Sequence, residues 1–99
     1  MFFSKIKSIS AVKLQELVEQ GDKTTILDVR EKDEFKDGHI KSAINAPLSN
    51  IENTKLKGTT YVICQSGMRS KQACHYLSKQ GYDVINVSGG MSSWRGKIV

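Results

Sequence analysis

The fold of this chain is decided by residues 60–81, TYVICQSGMRSKQACHYLSKQG. The first five residues form a short, nearly continuous apolar run, which favours a strand buried on both faces of a parallel sheet. Residues 69–80 place small and apolar side chains along one helical stripe, and Gly81 supplies a stop signal. The stretch therefore predicts a strand that ends at Cys64, a tight loop and then a helix.

The rest of the chain repeats this alternation of strand and helix. Further strands are predicted over residues 25–29 and 83–87, with a short one over 43–45 and a weaker edge strand near 6–9. Helical segments are predicted over residues 11–20, 31–36 and 91–95. Strands that alternate with helices form parallel sheets covered on both sides, so we expect an α/β fold.

The length and composition are those of one folded domain. The chain has 99 residues, of which 38% are hydrophobic and 25% charged, so a single domain over residues 1–99 is expected. No apolar run approaches the roughly 18 residues that span a bilayer. Lys5 interrupts the apolar start of the chain, at the place where a secretory peptide would need a continuous apolar stretch. We therefore expect a cytoplasmic monomer without membrane contact.

Positive charge is concentrated in the second half of the chain. Residues 1–52 hold eight basic and nine acidic side chains, whereas residues 53–99 hold seven basic side chains and one acid, Asp83. Such a basic half favours an anionic ligand or an acidic protein partner, and a solvated lysine face is the simpler alternative. Nucleic acid is not expected, because the sequence has no aromatic-rich basic stripe and no reader motif.

Cys64 is the candidate nucleophile. It lies between a strand and a helix start, where the helix dipole and unpaired backbone N–H groups favour negative charge. Both effects lower the pKa of a thiol and make it nucleophilic at neutral pH. Gly67 allows a tight turn, and Arg69 adds a planar cationic fork that binds oxyanions. The alternative is a buried structural cysteine beside an ordinary loop.

Two charged residues lie at the carboxyl end of a central strand, on the same side of the sheet as Cys64. Asp28 and Arg30 are expected to form a buried ion pair that braces the catalytic loop, with Glu34 sharing Arg30. Simple surface charge is the alternative. His39 is expected to fix the turn around it rather than to act as a base, since a thiolate stabilised by a helix needs none.

The cysteine and histidine residues do not predict a metal site. Cys64, Cys74, His39 and His75 lack the paired spacing of zinc ligands. Cys74 lies about 7.5 Å along the predicted helix at 1.5 Å per residue, so a disulfide to Cys64 would strain the loop. We expect Cys74 to lie in the core and His75 at the surface.

The chain also carries four short motifs in a fixed order. They are DVRE (28–31) with EF (34–35) and GHI (38–40), AINAP (43–47), CQSGMRS (64–70), and GGM (89–91) with Trp94. In this order and spacing they resemble the single-domain rhodanese-like sulfurtransferases over a core of about residues 9–95. Ser42 departs from the glycine common at that position, which concerns a local turn and not the chemistry.

The resemblance implies a single domain with a five-stranded parallel sheet, helices on both faces and a persulfide mechanism. Cys64 takes the outer sulfur of a small anionic donor such as thiosulfate and passes it to cyanide, a thiol or a thioredoxin-like protein. The family needs no metal or organic cofactor. The substrate-binding residues that it implies are those of the loop, namely Gln65, Ser66, Gly67, Met68 and Arg69.

Two other functions are alternatives to this one. Protein tyrosine phosphatases use a C-x5-R loop, one residue longer than the span from Cys64 to Arg69, and the shorter loop suits one sulfur atom better than a phosphoryl group. The second is a non-catalytic rhodanese-like module that binds an acidic protein through its basic half. Such modules can dispense with the cysteine, so an intact loop with Cys64 favours the enzyme.

Overall fold

A computed structural model describes residues 5–99. The first four residues, on which the argument about a secretory segment partly rests, lie outside the described residues. The strands are β1 (Lys7–Ser10), β2 (Thr25–Asp28), β3 (Ile44–Asn45), β4 (Thr60–Ile63) and β5 (Val84–Ser88). The α-helices are α1 (Ala11–Glu19), α2 (Lys32–Asp37), α3 (Met68–Lys79) and α4 (Gly90–Ser93), with a 3₁₀ helix over Leu48–Asn53.

The five strands form one parallel sheet in the order β1-β5-β4-β2-β3. β4 is central, and its last residue, Ile63, is in register with Asp28 at the end of β2. Because all strands run the same way, the carboxyl ends of β2, β4 and β5 meet at one edge of the sheet. The predicted α/β class and five-stranded parallel sheet are confirmed, and Cys64 lies at that edge.

Two hydrophobic cores, one on each face of the sheet, hold the helices in place. On one face Val62 of β4 packs with Ala73 and Leu77 of α3. On the other face Ile63 packs with Leu14 of α1 and with Trp94, which follows α4. Successive residues of β4 thus point into opposite cores, as expected for a strand covered on both sides.

Local signals explain where the helices begin. The Ser10 hydroxyl accepts a hydrogen bond of 3.0 Å from the Lys13 backbone N–H, which caps α1. At the start of α2 the Glu34 carboxylate accepts a hydrogen bond of 3.1 Å from the Glu31 backbone N–H.

The predicted strands and helices are present, and their ends are shifted by a residue or two. The 3₁₀ helix was not predicted, because it has no periodic apolar pattern.

The part of the chain that the structure describes has no helix with the length and apolar character needed to cross a bilayer.

Candidate active site

Cys64 lies directly after β4, and its side chain is fully buried, with 0% exposed. Gly67 caps α3 with a left-handed backbone, at φ +105°. This turn aims the Gly67 N–H back at the sulfur, and the N–Sγ distance is 3.1 Å. A Cβ at Gly67 would also lie 3.3 Å from the Gly89 backbone nitrogen, so glycine meets both a conformational and a spatial requirement.

A buried polar chain leads from the sulfur into the neighbouring strand. Ser70 Oγ lies 3.3 Å from Cys64 Sγ and 2.5 Å from Asn86 Oδ1. The Asn86 amide in turn donates to the Gly67 carbonyl oxygen at 3.4 Å. The sequence interpretation gave neither Ser70 nor Asn86 a role. An amide in the otherwise apolar run of β5 is the signal that could have found Asn86.

Hydrogen bonds outweigh burial in setting the pKa of Cys64. Burial is the largest single influence, and it raises the pKa because it favours the neutral thiol. The Ser70 hydroxyl and the backbone N–H groups of Ser70, Gly67 and Ser66 favour the thiolate, and together they hold the pKa of Cys64 below its usual value. The loop therefore favours a negatively charged sulfur.

The helix α4 supports the loop after Cys64 from the side of β5. The Met91 backbone N–H donates to the Cys64 carbonyl oxygen at 2.8 Å, and the Ser92 N–H donates to that of Gln65 at 2.9 Å. Gly90, at φ +56°, makes this approach possible, because a Cβ there would overlap the Cys64 carbonyl oxygen. Gly90 thus has a packing role against the loop.

Asp28 and Arg30 form the buried ion pair that the sequence suggested. Arg30 Nη2 lies 2.8 Å from Asp28 Oδ2, and Arg30 Nε lies 3.0 Å from Oδ1. The same guanidinium donates to the Gly38 carbonyl oxygen at 2.8 Å and approaches the Gln65 side-chain oxygen at 3.4 Å. The pair therefore reaches one residue of the loop after Cys64, namely Gln65.

Glu34 pairs with Arg69 and not with Arg30, contrary to the sequence-based expectation. Its two carboxylate oxygens accept hydrogen bonds of 2.6 and 2.9 Å from the terminal nitrogens of Arg69. The bond to Arg69 lowers the pKa of Glu34 to about 2, against the smaller opposing effect of burial. Arg69 is therefore not an open fork for anions, because both terminal nitrogens already have an acceptor.

The other candidate side chains of the loop face solvent, and the second cysteine lies in the core. The side chains of Gln65, Ser66 and Met68 are exposed around the loop. Cys74 is buried in the core, as expected, and burial raises its pKa to about 12, with a smaller contribution from the charge on Cys64. Both cysteines are free.

The two histidines lie outside the sulfur site. His39 stacks on Phe35, with ring centroids 3.7 Å apart, and its Nδ1 is 2.8 Å from the Phe35 carbonyl oxygen, which fits a turn-fixing role. His75 is exposed on α3, as expected. Over residues 5–99 no group of three or more His, Cys, Asp and Glu side chains has an arrangement that could hold a metal ion.

Comparison with known proteins agrees with this geometry. The rhodanese-like domain model matches residues 10–97. "Putative sulfurtransferase YtwF" of Bacillus subtilis (strain 168) is 40% identical over 97 residues, which cover 94% of this chain and 94% of that protein. Thiosulfate sulfurtransferase GlpE of Shewanella oneidensis is 31% identical over 96 residues, covering 92% and 94%.

Solved structures of rhodanese-related proteins have the same fold. The crystal structure of a rhodanese-related protein from Thermoplasma volcanium superposes with a TM-score of 0.82 at 34% identity, covering 94% of this chain and 97% of that one. The fold, the cysteine loop and these matches together show that the chain belongs to the rhodanese-like sulfurtransferase family.

Proposed function

We propose that this protein is a thiosulfate sulfurtransferase that carries sulfur as a Cys64 persulfide. The observation that carries the proposal is the set of hydrogen-bond donors around one sulfur atom. The Gly67 N–H lies 3.1 Å from the Cys64 sulfur, and together with the N–H groups of Ser66 and Ser70 it favours the thiolate. A thiolate held in this way is the reactive form of the nucleophile.

The reaction proceeds by two displacements at sulfur. The Cys64 thiolate attacks the outer sulfur of thiosulfate, the donor S–S bond breaks, and sulfite leaves with its electron pair. An acceptor, either cyanide or a thiolate, then attacks the outer sulfur of the persulfide, and Cys64 leaves as the thiolate. The cycle needs no external oxidant or reductant, and none of its steps uses a metal or an organic cofactor.

The start of α3 supplies the environment for the transferred sulfur. Met68 and Arg69 open the helix, so their backbone N–H groups have no acceptor within it. Donors at this end of a helix favour an anion, and a fixed set of them stabilises charge that develops during a displacement. Thiosulfate, a small dianion, matches this environment.

The two alternatives fit the site less well. A phosphatase needs its loop arginine to hold the phosphoryl oxygens, but both terminal nitrogens of Arg69 already bond to Glu34. A non-catalytic module has no need for an ionisable cysteine, whereas hydrogen bonds from the loop lower the pKa of Cys64.

The state of the cysteines bears on the compartment. Both cysteines are free, which suits a reducing compartment, so we place the activity in the cytoplasm.

The experiment that tests the proposal measures sulfur transfer from thiosulfate to cyanide. The wild type, Cys64→Ser and Cys74→Ser are compared side by side, with p-nitrophenyl phosphate hydrolysis as the competing reaction. We expect Cys64→Ser to be inactive and Cys74→Ser to keep most of the activity. Turnover by Cys64→Ser, or phosphatase turnover above sulfur transfer in the wild type, would overturn the proposal.

A further inference from the structure

The outer face of α3 leads directly away from the catalytic loop. Its exposed side chains recur every three or four positions, so they lie along one side of the helix. They are Met68, Lys71, Gln72, His75, Tyr76 and Lys79. No residue of α3 is acidic. We call this surface the α3 face.

The positive charge on the α3 face is uncompensated. Among residues 5–99 neither Lys71 nor Lys79 forms an ion pair. The charge of Arg69, beside them, is matched by Glu34. The field over this surface therefore comes from the two lysines, and it attracts a partner that carries negative charge.

The α3 face also offers an apolar contact next to the sulfur. The Met68 side chain is 76% exposed, although it adjoins Gly67, whose N–H holds the Cys64 sulfur. Tyr76 lies two turns further on and is 36% exposed. A depression of about 370 Å³ is lined by Gly67, Met68, Lys71 and other residues at this end of the face. Exposed methionines are over-used on surfaces that bind other proteins.

The dimensions suit a polypeptide better than a small molecule. Met68 and Lys79 are about 16 Å apart along the helix at 1.5 Å per residue. About five residues of extended chain, at 3.3 Å each, cover that distance. Thiosulfate or cyanide can use the end of the face near Met68, but neither can reach Lys79.

We propose that the α3 face docks the sulfur acceptor, and that this acceptor is a protein segment with a cysteine followed by acidic residues. The inference rests on the proposed function, because it identifies who receives the persulfide sulfur. The acidic residues meet Lys71 and Lys79, an apolar residue contacts Met68, and the cysteine reaches the catalytic loop. Its thiolate attacks the outer sulfur, the Cys64–S bond breaks, and the acceptor leaves as a persulfide.

The experiment uses three synthetic peptides as acceptors for the persulfide form of the enzyme. They are Cys-Gly-Asp-Leu-Asp-Asp and its counterparts with Asn or Lys in place of Asp. The test variant is the double substitution Lys71→Glu/Lys79→Glu. The matched control is Lys55→Glu/Lys57→Glu, which changes the net charge equally in an exposed segment just before β4, at the opposite end of that strand from Cys64.

We expect the wild type to transfer sulfur to the acidic peptide about fivefold faster than to the lysine peptide at low salt. For each variant, the rate of sulfur transfer to the acidic peptide is divided by the rate of transfer to cyanide. This ratio should fall by a similar factor in Lys71→Glu/Lys79→Glu and stay at the wild-type value in the control. The preference fades at high salt because the charges are exposed. Equal rates for the three peptides, or an equal fall in both double variants, would overturn the inference.

A binding measurement separates this inference from the proposed function. A fluorescent analogue of the acidic peptide, with Ser in place of Cys, is titrated with Cys64→Ser protein, which transfers no sulfur. We expect Lys71→Glu/Lys79→Glu to weaken the binding of this peptide and the control substitutions to leave it unchanged. That result would support docking even if thiosulfate proved to be the wrong donor. Absence of binding would overturn docking. If the protein self-associates, and Lys71→Glu/Lys79→Glu abolishes this while the control does not, the α3 face would instead be the contact with a second copy of the chain.

Discussion

Glu34 binds Arg69 through both carboxylate oxygens, at 2.6 and 2.9 Å from the two terminal guanidinium nitrogens. Glu34 belongs to α2 and Arg69 to the first turn of α3, so the pair joins the segment after β2 to the helix that follows Cys64. Arg69 also feels the charge on Cys64. The charge of Arg69 is thus partly neutralised by Glu34, which weakens its pull on an anion near the loop.

The first prediction concerns acid stability. The pKa of Glu34 is about 2 in the folded protein, against an ordinary value of 4.5, so the ion pair stabilises the fold above about pH 4.5 and is lost as the pH falls toward 2. Both side chains are about one-third exposed, and solvent screening limits the effect to about 1 kcal/mol or less. Glu34→Gln should lower the free energy of urea unfolding at pH 6 and leave it almost unchanged near pH 2. An equal loss at both pH values would show that the carboxylate charge is not responsible.

The second prediction separates the charge of Arg69 from that of Glu34. Arg69→Ala should raise the thiosulfate KM by about tenfold, because it removes the positive charge that balances Glu34 and leaves that carboxylate to repel an anionic donor. The double variant Arg69→Ala/Glu34→Gln should recover part of that loss. Steady-state kinetics with thiosulfate as the varied substrate decides the matter, and a double variant weaker than Arg69→Ala would refute the repulsion argument.

The third prediction tests the buried polar chain. Ser70→Ala removes a hydroxyl that favours the thiolate, so the pKa of Cys64 should rise and transfer at pH 7 should slow by about tenfold. Iodoacetamide alkylation followed against pH gives the midpoint for each form. Ser92→Ala is the matched control, because that hydroxyl contacts the Gln65 side chain and not the sulfur. Equal midpoints for Ser70→Ala and the wild type would contradict the assignment.

The fourth prediction concerns the close approach of α4 to the loop. Gly90 and Gly58 have similar left-handed backbones, at φ +56° and +64°, but only Gly90 has heavy atoms in the path of a Cβ. Gly58→Ala should cost about 1–2 kcal/mol from backbone strain alone. Gly90→Ala should cost clearly more and should also raise the alkylation midpoint of Cys64. Thermal unfolding of the two variants measures the difference, and equal costs would mean that the loop can move aside.

The sequence predicted those features that depend on neighbouring residues. Apolar runs and capping signals are local, so the strands, helices and the loop after Cys64 were placed to within a residue or two. Asp28 and Arg30 are two positions apart, and their pairing was anticipated for the same reason.

Contacts between distant residues were harder to predict. Glu34 and Arg69 are 35 positions apart, and a charge pattern does not say which carboxylate a given arginine will meet. Asn86 of β5 contacts Ser70 at the start of α3. This contact depends on how the strands pair in the folded sheet, which the sequence alone does not show. The extent of burial around Cys64 also depends on α4, which closes against the loop from the far end of the chain.

The fifth prediction is the persulfide itself, and mass spectrometry of the protein after thiosulfate treatment tests it most directly. We expect the peptide that contains Cys64 to gain the mass of one sulfur atom and to lose it again on addition of cyanide, while the Cys74 peptide stays unchanged. An unmodified Cys64 peptide, or sulfur found on Cys74 instead, would contradict the proposed role of the Cys64 loop.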